Sequence, residues 1–151
     1  MIPLLAFYLD RLEDLHADVQ RAIDELPPEA LDWSPGPGMN SIAVLVAHVA
    51  GSMRYWIGEV AGGAASGRDR PAEFRTKDVG AAELKARLEA ALAHSREVLA
   101  GLTLADLEAS RLAPIQAREF SAGWALAHAL EHTAIHVGHI QITVQLWGQR
   151  R

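Results

Sequence analysis

The chain has 151 residues, of which 50% are hydrophobic and 22% are charged, with a formal net charge of −5 and no cysteine. This length predicts a single domain, residues 1–151, with a hydrophobic core of its own. The negative charge and the lack of any basic run argue against nucleic acid as a partner. Without thiols, disulfides, thiolate metal sites and cysteine nucleophiles are all excluded.

The sequence predicts neither an export signal peptide nor a membrane-spanning segment. Acidic and basic residues interrupt the N-terminal segment, unlike the continuous apolar core of a signal peptide. The segment 121–147 is long enough to cross a membrane, but its histidines, glutamate and glutamines make insertion costly. We therefore expect a cytoplasmic protein that has no membrane partner.

Apolar residues recur at helical spacing in four segments, which lie at about 4–26, 42–60, 81–100 and 121–147. Pro27 and Pro28 end the first, and Ser41 and Ser121 are N-cap candidates for the second and fourth. One further helical turn is expected at 103–107, and no segment alternates as a strand would. The sequence thus predicts an all-α four-helix bundle, and its links 27–40, 62–79 and 102–120 leave room for crossover connections.

The fourth predicted helix is apolar on nearly every side, since a second apolar face lies opposite its histidines. A helix that is apolar all round is normally buried all round. Either the crossover segments cover the outer face of this helix, or the helix forms a homodimer interface. We favour the homodimer interface. The apolar residues of this opposite face are Leu126, Leu130, Val137, Ile140 and Val144, with Trp147 nearby.

Four histidines, His128, His132, His136 and His139, fall within roughly 80° of arc on the same helix. His132 and His136 are spaced i, i+4, so their nitrogens can share one metal ion. A third ligand must come from another helix. His48 in the second helix is the natural candidate, although a lone histidine among apolar residues is more often a hydrogen-bonded core residue.

The remaining polar candidates have less specific signals. His128 and His139 could themselves be metal ligands, but we expect them to hydrogen-bond the bound imidazoles, to contact substrate or to transfer a proton. Ser52 and Tyr55 follow His48 on its side of the helix and are candidate cofactor-binding groups. His16 and His94 lie on ordinary amphipathic helices and are predicted to be solvated.

Segments 33–48 and 54–58, together with His128-x3-His132-x3-His136-x-Gly138-His139, resemble the DinB/YfiT-like superfamily. Its members are small bacterial four-helix proteins, often dimeric, that hold a divalent metal with three side chains. The resemblance covers nearly the whole chain and implies His48, His132 and His136 as the ligands. Mycothiol-using relatives have Glu at position 132, and many members have Arg-Gly-Gln where this chain has Val137-Gly138-His139.

The resemblance implies a divalent cofactor, with zinc or nickel as the expected ions, and a small-molecule substrate. We expect a thiol S-transferase, in which a low-molecular-weight thiol of the bacillithiol or mycothiol type attacks a small electrophile. Metal-dependent hydrolysis is an alternative, but it needs a general base. Glu131 points roughly 60° from His128 around the helix, and Glu59 lies three turns from His48. A metal-binding dimer with no catalytic role is the other alternative.

Overall fold

The computed structural model describes residues 1–150. Four long helices form the body of the protein, and short helices and one hairpin occupy the links between them. In chain order the elements are α1 (Pro3–Ile23), α2 (Pro28–Asp32), α3 (Ile42–Met53) with a π-helical continuation (Arg54–Ala61), α4 (Arg70–Glu73), α5 (Ala81–Gly101), α6 (Leu104–Glu108), β1 (Ser110–Ala113), β2 (Arg118–Ser121) and α7 (Ala122–Gln149).

The long helices form a four-helix bundle in which each packs mainly against two others. α1 and α3 both pack against α5 and α7, so α1 and α3 lie at opposite corners of the bundle. The links from α1 to α3 and from α5 to α7 therefore cross between opposite corners. The predicted fold class and its crossover connections are confirmed.

Helix α3 is the most buried of the long helices, because nearly all of its side chains are buried. Its N-terminus is capped by Ser41, whose hydroxyl accepts a hydrogen bond from the backbone N–H of Val44 at 3.3 Å. Beyond Met53 the helix widens into π geometry from Arg54 to Ala61, whereas one regular helix was predicted from about 42 to 60. Such π segments are rare in proteins, and those that do occur are often found at functional sites.

The expectation that the chain has no strand was wrong. Strands β1 and β2 pair in antiparallel register, with Ser110 opposite Ser121 and Ala113 opposite Arg118. Each strand has only four residues, which is too short for an alternating pattern to be recognised in the sequence. Ala117 in the connecting turn has a φ of 49°, a left-handed conformation that the sequence does not signal.

The expectation that His16 and His94 are solvated also needs correction. His16 is buried between α1 and α5, with its Nε2 atom 3.3 Å from a carboxylate oxygen of Glu89. His94 is half-buried and lies so close to Gly58 that a Cβ there would collide with its ring. Both histidines lie where α5 packs on a neighbouring helix, which the sequence of one helix does not reveal.

The apolar face of α7 opposite the histidines is used within the single chain. Leu126, Val137 and Ile140 are buried in the core, while Leu130 and Val144 are partly buried against it. The exposed apolar side chains of α7 are different ones, notably Ile135, Ile142 and Leu146. Among residues 1–150, no helix is both long and apolar enough to cross a membrane.

Candidate metal centre

Three histidines from two helices converge inside the bundle. His48 on α3 is buried, and His132 and His136 on α7 are half-buried one helical turn apart. One ring nitrogen from each lies within 4.8 Å of the others. The packing of α3 against α7 therefore brings together the three residues that the sequence could only propose as a set.

A carboxylate that contacts Nδ1, on the edge of the ring away from His132, fixes the orientation of the His48 ring. Its Nδ1 atom lies 2.8 Å from Oε2 of Glu73, while its Nε2 atom lies 3.1 Å from Nε2 of His132. An ionised carboxylate only accepts hydrogen bonds, so Nδ1 of His48 carries the proton and donates it. The Nε2 atom of His48 is left with a free lone pair that faces the other two histidines.

Arg68 keeps Glu73 ionised. The Nε and terminal nitrogen of Arg68 donate to the two oxygens of Glu73 at 2.6 and 2.8 Å, and both side chains are buried. Burial raises the pKa of the Glu73 carboxyl, but the hydrogen bonds from Arg68 and His48 outweigh it and hold that pKa below its usual value. A bidentate, charge-assisted pair of this kind is geometrically rigid.

Arg68 and Glu73 were not predicted from the sequence as site residues. Glu73 lies on α4, where the Asp69 side chain caps the helix by accepting from the N–H of Ala72 at 3.0 Å and Pro71 occupies the first turn. That Asp-x-Pro signal predicts an ordered turn inside the link. It does not predict that α4 packs on α3 at Gly51, where a Cβ would collide with the Glu73 carboxylate.

The chemistry of the three histidines fits a divalent metal. Burial, followed by the charges of His136 and His48, lowers the pKa of His132 to about 3, and burial with His48 and His139 lowers the pKa of His136 to about 4. Both rings are therefore neutral at physiological pH and can act as ligands. Two imidazole nitrogens on one tetrahedral zinc lie about 3.3 Å apart, close to the 3.1 Å between His48 and His132.

His139 and His128 occupy different surroundings on α7. The Nδ1 atom of His139 lies 3.3 Å from Nδ1 of His136, and its ring is exposed. His128 is half-buried, stacks on Trp124 with ring centroids 5.0 Å apart and contacts Trp56 at 4.6 Å. Their placement leaves His139 beside a candidate ligand and His128 among aromatic rings.

A cavity of about 270 Å³ opens beside the three histidines. His48, His132, His128 and Ser52 contribute to its wall, so four of the predicted site residues meet there. Tyr55 does not line this cavity. Its hydroxyl donates to Gln116 at 2.7 Å and accepts from the backbone N–H of Ile115 at 3.0 Å, so it anchors the hairpin turn instead.

A larger cavity, of about 390 Å³, has Arg68 and Glu73 in its wall but no histidine. Glu59, one of the bases considered for hydrolysis, points elsewhere. Its carboxylate accepts hydrogen bonds from the backbone N–H and the hydroxyl of Ser66. Of these two cavities, the one of about 270 Å³ therefore adjoins the candidate metal ligands.

Comparison with known proteins agrees with this architecture. Residues 11–140 match the model of the DinB superfamily. The chain belongs to that superfamily. This result confirms the resemblance drawn from the histidine segments. No curated protein sequence matches the chain significantly.

Solved structures with the same fold share little sequence with this DinB-like chain. YfiT from Bacillus subtilis, described as a probable metal-dependent hydrolase with an unusual four-helix bundle topology, has a TM-score of 0.78 and 18% identity over 99% of this chain and 91% of that one. A conserved protein from Enterococcus faecalis has a TM-score of 0.77 and 14% identity over 99% and 100%. The mycothiol-dependent maleylpyruvate isomerase has a TM-score of 0.66 and 16% identity over 91% of this chain and 60% of that one.

Proposed function

We propose that this DinB-like protein is a metal-dependent enzyme whose ion is held by His48, His132 and His136. The observation that carries the proposal is the convergence of three imidazoles, of which those of His132 and His136 are neutral, beside a cavity. Three protein ligands with open positions are typical of catalytic rather than structural sites. When bound, a zinc or nickel ion would supply positive charge that lowers the pKa of a thiol or water in the cavity.

The reaction that we favour is transfer of a low-molecular-weight thiol to a small electrophile. The chain has no cysteine, so any thiol nucleophile must come from outside it. The fold is shared with an isomerase that is described as mycothiol-dependent. In this proposal Ser52 and His128 contact the bound molecules in the cavity, and His139 orients His136 or relays a proton to solvent.

Metal-dependent hydrolysis is the second candidate, supported by the description of YfiT as a probable hydrolase. A hydrolase of this kind needs a general base near the attacking water. No carboxylate of residues 1–150 lines the cavity beside the histidines. Both oxygens of Glu73 already accept hydrogen bonds from Arg68 and His48, and the Glu59 carboxylate is bound to Ser66. A hydrolase would therefore have to use a histidine, such as His128 in the cavity wall, as its base, whereas a thiol whose pKa a bound metal lowers needs no separate carboxylate base; this favours the transferase.

The deciding experiment uses protein that is purified without a histidine tag. Bound metals are measured, and bacillithiol, mycothiol and glutathione are then tested with 1-chloro-2,4-dinitrobenzene, from which the thiolate displaces chloride. We expect one equivalent of divalent metal and thiol-dependent turnover that a chelator abolishes. A cobalt-substituted protein whose spectrum does not change with any thiol would contradict the transferase, and ester hydrolysis under the same conditions would favour the hydrolase.

A non-catalytic role for the metal makes a different prediction. An ion that only braces the bundle would stabilise the native state by about 2.7 kcal/mol at a free concentration of one hundred times its Kd. Every ligand that binds only the native state has this effect, so stabilisation alone does not identify a brace. Stabilisation by zinc without turnover of any thiol or ester substrate would favour the brace over both enzymes.

We propose that the homodimer forms through the exposed side of α7. Ile135, Ile142 and Leu146 are 51%, 47% and 37% exposed there, in contrast to the buried opposite face. Sedimentation of the wild type and of Ile142→Lys tests this. We expect a dimer that the lysine dissociates, and a monomeric wild type would refute the proposal.

A further inference from the structure

The charge balance of the cavity beside the histidines indicates which class of substrate it takes. The protein as a whole carries a net charge of −5, but no carboxylate of residues 1–150 lines this cavity. Two guanidinium groups do, those of Arg68 and Arg70. Arg68 is neutralised by its buried pair with Glu73, so the net positive charge of the wall comes from Arg70.

Arg70 is held in position by an aromatic contact rather than by an acid. Within residues 1–150 no carboxylate lies within ion-pair distance of it. Its guanidinium lies 4.8 Å from the centre of the Phe74 ring, and that ring lies 4.9 Å from the ring of His48. A cation–π contact of this kind orients Arg70 while it leaves the N–H donors available to a ligand.

Aromatic rings also form part of the cavity wall. Trp56 and His128 both line it, with ring centroids 4.6 Å apart and an angle of 73° between the planes, so the two rings meet edge to face. The ring of Trp124 stacks on His128 with an angle of 10° between the planes. Planar side chains of this type present flat apolar surfaces that favour stacking with unsaturated or aromatic groups.

We propose that the cavity binds small, planar organic anions, with the carboxylate of the ligand paired to Arg70 and its unsaturated part against Trp56 and His128. This inference rests on the proposed function and names the substrate class of the same site. The cavity volume of about 270 Å³ limits the ligand to a small molecule. A guanidinium presents paired N–H donors that match the two oxygens of a carboxylate.

The test compares benzoate with benzamide, which has the same shape without the charge. Binding is measured by calorimetry with the zinc-loaded protein and again with the metal-free protein, because zinc itself attracts carboxylates. The variant is Arg70→Gln. The matched control is Arg75→Gln, since Arg75 is a nearby exposed arginine that does not line this cavity.

We expect benzoate to bind about tenfold more tightly than benzamide, Arg70→Gln to remove about tenfold of benzoate affinity, and Arg75→Gln to change it less than twofold. The effect of Arg70 should persist without zinc and weaken at high salt. Equal binding of benzoate and benzamide, or equal affinity in the two variants, would overturn the proposal. A benzoate preference that depends on zinc but not on Arg70 would also overturn it, since the ion alone would then be the anion site. Failure of the proposed function would instead appear as a lack of zinc binding, while the metal-free arm still tests Arg70.

Discussion

The substitution Glu73→Gln isolates what the buried carboxylate does for the metal centre. Glutamine has nearly the same size as glutamate, so it fits the space that Gly51 leaves for it. It keeps one oxygen that can accept from Nδ1 of His48, but it loses the negative charge that pairs with Arg68. The variant therefore changes the electrostatics of the site with little change in packing.

The expected magnitude follows from the contacts that Glu73 makes. Hydrogen bonds to groups that orient metal ligands typically contribute 10- to 100-fold to metal affinity, which corresponds to about 1.4–2.8 kcal/mol. The carboxylate makes Nε2 of His48 a stronger ligand by accepting a hydrogen bond from the Nδ1–H. Removal of one partner of a buried ion pair costs about 3–5 kcal/mol of stability, and the retained amide oxygen of glutamine should reduce this cost.

The assay is a competitive zinc titration at pH 7.5, combined with thermal unfolding of the metal-free protein. The matched control is Glu83→Gln, because Glu83 also pairs with an arginine, Arg87, but on the exposed surface of α5. We expect Glu73→Gln to raise the zinc Kd by about 10- to 100-fold. The control should leave the zinc Kd unchanged and the free energy of unfolding within about 0.5 kcal/mol.

A zinc Kd for Glu73→Gln within twofold of the wild-type value would refute this reasoning. If the melting temperature nevertheless fell, Glu73 would be a structural residue that joins α4 to α3. Nitrogen-15 NMR of the His48 ring offers an independent check. It should show the proton on Nδ1 in the wild-type protein, and a proton on Nε2 would contradict the assignment.

Three further predictions concern the histidines and Tyr55. His132→Ala should lose bound metal and activity together, whereas His139→Ala should keep the metal. If elemental analysis finds that His132→Ala retains metal, His132 is not a ligand. The folded-state pKa values of about 3 for His132 and 4 for His136 lie below the ordinary histidine value of 6.5, so the unfolded state binds more protons at acidic pH. The metal-free protein should therefore lose stability as the pH falls from about 6.5 towards 4 in urea titrations, with a smaller loss in a His132→Gln, His136→Gln double variant. Tyr55→Phe should cost about 1–3 kcal/mol of unfolding free energy and weaken benzoate binding by loosening the hairpin turn. The matched control is Tyr8→Phe, because the Tyr8 hydroxyl also donates a hydrogen bond, to the backbone carbonyl of Leu126 at 2.9 Å, but does not line the cavity; this variant should affect stability alone.

The sequence alone determined the helices and part of the site, because both depend on local spacing. Apolar periodicity placed the four long helices to within a few residues. The i, i+4 interval of His132 and His136 places both rings on one face of α7 wherever that helix packs. Short elements carried weaker signals, so the four-residue strands of the hairpin and the π geometry after Met53 were not predicted.

Only the tertiary structure decided which groups surround those two histidines. His48 meets them because α3 packs against α7, and Glu73 reaches His48 across 25 positions of sequence because Gly51 has no side chain. The burial of His16 between α1 and α5 likewise depends on helix packing. Contacts between distant segments depend on how whole helices pack, and a local pattern in one segment does not record its partner.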